Sequence, residues 1–359
     1  MNLWNSWQFR PIKEQVQVVQ VNIAASKWLD RHPWLPIFFL IILPFLAELP
    51  LLIFGLSNNP IWQQSWIVEG AKSGILPGLS YCDPNVGWTT QALGYLAAED
   101  WLHGMIPWWN PYSGLGLPLA GEMQPNAFFL PFVFLLLLHN GVLWIKIAMQ
   151  IFAGLTTFVL LRELKLDRFS ALTGGSLYAM NGTFAWMPGE TICNTIPFLP
   201  LLLYGIEKAR KESGSTAILW IGLAISGSIL AGFPEAAYIN GLLALAWAIY
   251  RLFGERQRWR FAARVMYGGL LGLLLSSPLL LAFFDYLLTT NTMASHSFGK
   301  SFLPIQAFSS IYLPYFYGPI FHTAGSSMLG DIWGNVGGYA GVLLVFFAYV
   351  GAMTGGRER

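Results

Sequence analysis

Residues 128–138 read Phe-Phe-Leu-Pro-Phe-Val-Phe-Leu-Leu-Leu-Leu, and how this run meets a bilayer decides the fold. At 1.5 Å per residue a helix of this length reaches about 17 Å, against a hydrocarbon core of about 30 Å. The run is therefore expected to rest in the interface without crossing. That a bilayer is involved follows from composition. Of 359 residues, 55% are hydrophobic and only 11% charged, with a mean hydropathy of +0.52, whereas a soluble domain carries about 25% charged residues. Gly and Pro form no repeat and there are 2 Cys, which excludes collagen-like and disulfide-built classes. The 16 Trp, 14 Tyr and 26 Phe suit an interfacial belt. A net charge of +2 leaves no footprint for nucleic acid.

Outward from this run, eight apolar stretches qualify as spans. They are Trp34–Phe54, Val142–Leu161, Ala171–Met187, Ile192–Ile206, Ala217–Phe233, Ala236–Phe253, Val265–Phe284 and Val336–Met353. Cytoplasmic loops carry the Lys/Arg excess. If 128–138 does not cross, every Lys and Arg except Lys72, Lys146 and Lys300 falls on one side. If it crosses, the basic cluster Arg10/Lys13/Lys27/Arg31 opposes the later ones. The expected fold is thus an all-α polytopic membrane protein with about eight transmembrane helices and both termini cytoplasmic. Residues 1–33 form a cytoplasmic N-terminal segment without the apolar core of a signal peptide, 34–354 the transmembrane unit, and 355–359 a cytoplasmic tail. Within 1–33, Glu14–Trp28 reads either as a surface amphipathic helix or as a solvated lead-in.

This topology gathers the acids outside: Glu69, Asp83, Glu99, Asp100, Glu122, Glu190, Glu235 and Asp331, with four of the five histidines. Two outer segments dominate, 55–140 and 286–335, and long ordered loops are usually functional. The spans hold almost no charge beyond Lys146, whereas ion-driven transporters place ionisable groups at mid-membrane. Chemistry at the outer surface is favoured over transport.

The first outer loop contains Tyr81-Cys82-Asp83-Pro84-Asn85, Gly104-Met105-Ile106-Pro107-Trp108-Trp109-Asn110-Pro111-Tyr112, Gly114-Leu115-Gly116-Leu117-Pro118 and Gly121-Glu122-Met123-Gln124-Pro125. Later come Ala231-Gly232-Phe233-Pro234-Glu235, Leu313-Pro314-Tyr315-Phe316-Tyr317-Gly318 and Gly338-Tyr339-Ala340-Gly341-Val342. On these stretches the chain, over roughly residues 35–350, resembles the YfhO family of bacterial membrane proteins. That family looks like part of the GT-C class of glycosyltransferases, which draw on polyprenyl-phosphate sugars. The resemblance implies a GT-C-like module in a bacterial plasma membrane, transferring sugar from a lipid-linked donor to a glycan, lipid or polymer acceptor on the outer face. Family members run well past the position of Arg359, so a non-catalytic membrane scaffold of the same fold is the second expectation. A lipid or polysaccharide transporter is the third.

Such a transfer needs a base for the acceptor's proton, while the phosphate leaving group wants positive charge or hydrogen-bond donors. The resemblance gives Asp83 the role of base and Glu122 that of positioning the acceptor or assisting. From the residues alone, Asp83 before Pro84 also fits an Asx turn, and Glu122 a solvated loop acid. Lys300 or His296 is expected to face the lipid phosphate, although Lys300 also reads as a headgroup-level lysine. Trp108, Trp109 and Tyr112, with Trp101, suit sugar stacking or an aromatic belt. Asn110 and Gln124 belong to the motifs, and Glu190 is an acceptor-site candidate. Glu235 reads as a helix-end cap. No cofactor is specified. A divalent metal on Asp83, Glu122 and a histidine remains an open alternative without an H-x-x-x-H spacing. Cys82 and Cys193 either pair or stay as thiols.

Overall fold

The structure is a computed structural model that describes residues 26–55, 86–186, 189–211, 215–290, 305–313, 316 and 339–354. It is mostly helical, and the single sheet among the described residues is a two-stranded ribbon. The apolar run at 128–138 supplies only α4, Leu130–Leu136, with Pro131 in its first turn. Its 7 residues reach about 10 Å, too short to cross. Phe132, Val133 and Leu136 bury into the main core beside Val142, Ile145 and Met149.

Before it, Leu35–Ala47 (α1) and Leu49–Phe54 (α2) are separated at Glu48. A π-helical turn, Val86–Gln91, leads into Ala92–Leu102 (α3), which packs on α4. Gly94 permits that approach, since a Cβ there would stand 2.8 Å from the Phe132 ring. After α4 come Gly141–Glu163 (α5), Arg168–Ala179 (α6), Gly182–Trp186 (α7), Ile192–Thr195 (α8) and Phe198–Lys211 (α9). Then follow Thr216–Leu230 (α10), Pro234–Phe253 (α11), Arg258–Leu275 (α12), Ser277–Thr289 (α13), Phe308–Tyr312 (α14) and Val342–Thr354 (α15). Small residues seat α12 on α10: Gly268 lies against Ile221, and Gly272 against Ile225.

The expectation of eight spans is corrected. Among the described residues two helices, α5 and α11, are long and apolar enough to cross, and α12 with α13 makes a third only across a 67° bend. Helices α1, α10 and α15 are apolar but shorter. Interruptions explain the difference. Glu48 sits between Pro44 and Pro50 and splits the first stretch. Asn181-Gly182 ends the stretch that begins at Ala171, where the Asn181 side chain accepts from the Thr183 amide at 2.9 Å. Pro278 lies in the first turn of α13 at the bend. Proline supplies no N–H to continue the helical ladder.

Among the described residues, the basic clusters share one end of the helix set. Lys208 and Lys211 both bind Glu163 at the end of α5. Arg168 at the start of α6 meets Asp30 at 2.7 Å, which brings the described Lys27–Arg31 segment to the same end. At this end Glu207, 1% exposed, accepts from Arg251 Nε at 2.6 Å, Arg210 Nη1 at 2.8 Å and Trp247 Nε1 at 2.8 Å. Arg251 also lies over the Trp247 ring, 4.6 Å from its centroid. A carboxylate so deep in apolar packing is tolerable only when its lone pairs are filled this way.

Candidate functional site

The Trp-Asn-Pro-Tyr and Gly-Leu-Gly-Leu-Pro stretches pair with each other. Trp109–Asn110 (β1) runs antiparallel to Leu117–Pro118 (β2), with Trp109 opposite Pro118. The reversal is held by Asn110, buried at 5% exposure, whose Oδ1 accepts from the Tyr112 amide at 3.0 Å. The Trp109 ring lies on Gly116, where a Cβ would stand 2.3 Å from it. Trp108 packs on Phe128, centroids 4.9 Å apart. Both tryptophans pack on one side in the hairpin and stay exposed on the other, Trp108 at 41% and Trp109 at 51%.

After β2, a tight loop carries Glu122. Gly121 lets it press on α13, since a Cβ there would meet Tyr286 Cβ at 2.8 Å and Ala282 O at 2.9 Å. Met123 and Asn126 both take left-handed backbone, φ 60° and 54°, and both are buried. Asn126 donates to Gln124 O at 2.7 Å and accepts from Asn194 Nδ2 at 3.4 Å. Gly232, φ 81°, closes the other side: a Cβ would stand 2.6 Å from Met123 O and 2.7 Å from Asn126 Oδ1. Only glycine accommodates both that φ and that approach. The loop is clamped between α13 and the α10–α11 link.

The clamp opens a cavity of about 1150 Å³. Its polar lining includes Thr89, Asn110, Tyr112, Ser113, Glu122, Gln124, Glu235 and Tyr286, and its apolar wall Leu93, Leu96, Phe233, Phe283 and Leu287. Glu122 is partly buried, and desolvation raises its carboxyl above the ordinary value. Glu235 stands in the first turn of α11. Arg251, in the Glu207 cluster, lies in the last turn of the same helix, about 24 Å along the axis from Glu235. Cavity and cation cluster are therefore at opposite ends.

Of the residues singled out from sequence, Asn110, Tyr112, Glu122 and Gln124 meet at this cavity. Trp108 and Trp109 are not among its lining residues. Glu190 is elsewhere, beside Lys146, Cys193 and Asn194 around a space of about 20 Å³; Lys146 there pairs with Glu48 at 2.6 Å. Asp83, Cys82, His296 and Lys300 lie outside the described residues. Cys193 is buried, with Sγ 3.7 Å from Thr183 O. No Lys, Arg or His lines the cavity among the described residues, and no group of three His, Cys, Asp or Glu gathers there that could hold a metal ion. Sequence reasoning missed Trp88, Thr89, Tyr286, Asn126 and Asn194, and gave Glu235 a capping role only. The Gly232-Phe-Pro-Glu235 stretch was the available signal.

The family described as "Bacterial membrane protein YfhO" matches residues 123–327, more than half of the chain. The chain belongs to the YfhO family. The match takes in the Asn126–Asn194–Gly232 clamp, Glu235 and Tyr286, and starts one residue after Glu122, so the hairpin motifs precede it. No curated protein and no solved structure matches this YfhO-family chain.

Proposed function

We propose that the chain transfers a sugar from a polyprenyl-phosphate donor to an acceptor hydroxyl at the extracytoplasmic face of a bacterial membrane. The observation that supports this most is the cavity itself. It combines a carboxyl of raised proton affinity with amides, hydroxyls and an apolar wall able to lie along a prenyl chain. Its distance from the cation-rich end favours the outer face, because cytoplasmic ends carry the Lys/Arg excess. On this reading the protein is a multi-pass protein of the plasma membrane with its termini inside.

In the proposed reaction the acceptor oxygen attacks the anomeric carbon, and the carbon–oxygen bond to phosphate breaks. Its electron pair leaves on the phosphate oxygen of the released polyprenyl phosphate. The acceptor's proton passes to the Asp83 carboxylate. Asp83 precedes by three residues the Val86–Gln91 turn, whose Trp88 and Thr89 line the cavity. Glu122 orients the acceptor hydroxyl, and Asn110, Gln124 and Tyr112 hold sugar hydroxyls. Lys300 or His296 meets the phosphate charge. The second reading, a non-catalytic scaffold, is favoured by the absence of any cation from the described lining residues.

The test is release of free polyprenyl phosphate by the purified chain from a polyprenyl-phosphate sugar donor in the presence of glycan acceptors. Wild type releases it. Asp83→Asn loses at least roughly 100-fold, the usual contribution of a general base, with unchanged folding. Equal turnover removes the catalytic assignment, and an inert wild type leaves the scaffold.

A further inference from the structure

At the cation-rich end, four basic side chains are already paired with carboxylates. Arg210 and Arg251 are held by Glu207, Arg210 also by Glu255, and Lys208 and Lys211 by Glu163. The link from α11 to α12 differs. Arg256, Arg258 and Arg260 are all exposed, and no carboxylate among the described residues pairs with them. Arg258 donates to Phe253 O at 3.3 Å and Arg260 to Gln257 Oε1 at 3.2 Å, neutral acceptors that orient the guanidinium groups without cancelling them. Between them stands Trp259, 89% exposed.

Trp259 is not a stray aromatic. Helical geometry puts residues 259, 266, 270 and 273 on one face. Met266, Leu270 and Leu273 on that face are each at least half exposed, while Phe261, Gly268 and Gly272 pack inward. The exposed stripe is apolar until it ends at Trp259, and the three uncompensated arginines cluster around that end. An apolar stripe faces acyl chains, a terminal Trp sits at their boundary, and guanidinium groups just beyond it stand at headgroup depth. Uncompensated positive charge at that depth selects a headgroup of net negative charge over a zwitterionic one.

We infer that the turn Arg256–Arg260 is a binding site for acidic phospholipid of the surrounding bilayer, with Trp259 against the glycerol region and the three arginines on the phosphodiester and its neighbours. The site is independent of the proposed sugar chemistry.

The experiment uses the full chain in neutral detergent with an equimolar mixture of phosphatidylglycerol and phosphatidylcholine, and native mass spectrometry counts the lipids retained. Wild type retains phosphatidylglycerol in preference, by roughly tenfold or more for three arginines near an anionic surface. The triple variant R256Q/R258Q/R260Q, which alters only exposed side chains, retains the two lipids about equally. W259F keeps the preference but shows less quenching of tryptophan fluorescence by bromine-labelled phosphatidylglycerol than wild type does. No preference in wild type, or an unchanged preference in the triple variant, overturns the inference. So does displacement of the lipid by millimolar inorganic phosphate or by poly-glutamate, which identifies a site for free anions or for an acidic polypeptide. If the triple variant does not fold, R258Q alone must show a partial loss, and an unchanged single variant counts against the site.

Discussion

Glu122 is held where its negative charge is disfavoured, and that has a thermodynamic sign. Desolvation raises its proton affinity in the folded chain above that of the unfolded chain. At about pH 3, more than one unit below the ordinary value of about 4.3, the carboxyl is protonated in both states and the environment costs nothing. As pH rises, the unfolded chain ionises first, and the full penalty is present above the raised folded value. Glu122→Gln should therefore raise the thermal midpoint near pH 7 and give no gain at about pH 3. A lower midpoint for the variant at pH 7 would contradict the burial argument. At this scale the sequence was partly legible. Asn110, Tyr112, Glu122 and Gln124 sit in a dense, unusual motif. Trp108 and Trp109 sit in the same motif but do not line the cavity: one side of each ring packs on Phe128 or Gly116 while the rest stays exposed, a placement that no local pattern reveals.

Among the elements, the loop that carries Glu122 depends on partners distant in sequence. Asn126 and Gly232 come together only when the α10–α11 link folds back over the loop that precedes α4. Neither residue announces this in its own neighbourhood. Gly232→Ala forces a left-handed alanine and a contact of 2.6 Å with Met123 O. A loss of roughly 2–4 kcal/mol is expected from denaturation midpoints. Asn126→Leu leaves the Gln124 carbonyl and the Asn194 amide unpaired, at about 1–3 kcal/mol. In both variants Glu122 should move toward solvent. The midpoint of its carbodiimide labelling, followed against pH by mass spectrometry, should fall toward the ordinary carboxyl value. A midpoint unchanged in both would mean that the clamp does not position Glu122. The same long-range dependence explains the span count. Hydropathy found the apolar stretches, yet the breaks at Glu48, at Asn181 and before Pro278 come from single residues inside runs that average as apolar.

For the whole molecule, the legible feature was polarity. The short run at 128–138 and the distribution of Lys and Arg predicted one cation-rich end. Among the described residues, the pairs Arg168–Asp30, Lys211–Glu163 and Arg251–Glu207 bring the Lys27–Arg31 segment, the ends of α5 and α9 and the end of α11 to one end. Illegible was how deeply one acid would anchor that end. Removing Glu207 leaves Arg251 and the Trp247 N–H without their acceptor in packed surroundings. Glu207→Ala is expected to cost roughly 3–5 kcal/mol, as when one partner of a buried ion pair is deleted. A change below about 1 kcal/mol would rank the cluster with surface pairs.

In the proposed function the Glu122 cavity opens outside the cell while the arginine-rich end faces the cytoplasm. In a background carrying Cys82→Ser and Cys193→Ala, a membrane-impermeant maleimide is applied to intact cells expressing Ser113→Cys, at the cavity, or Ser215→Cys, beside the cation cluster. Labelling of the first in intact cells, and of the second only after permeabilisation, is the predicted result. Labelling of the second alone in intact cells would contradict the orientation and end the proposed outer-face sugar transfer.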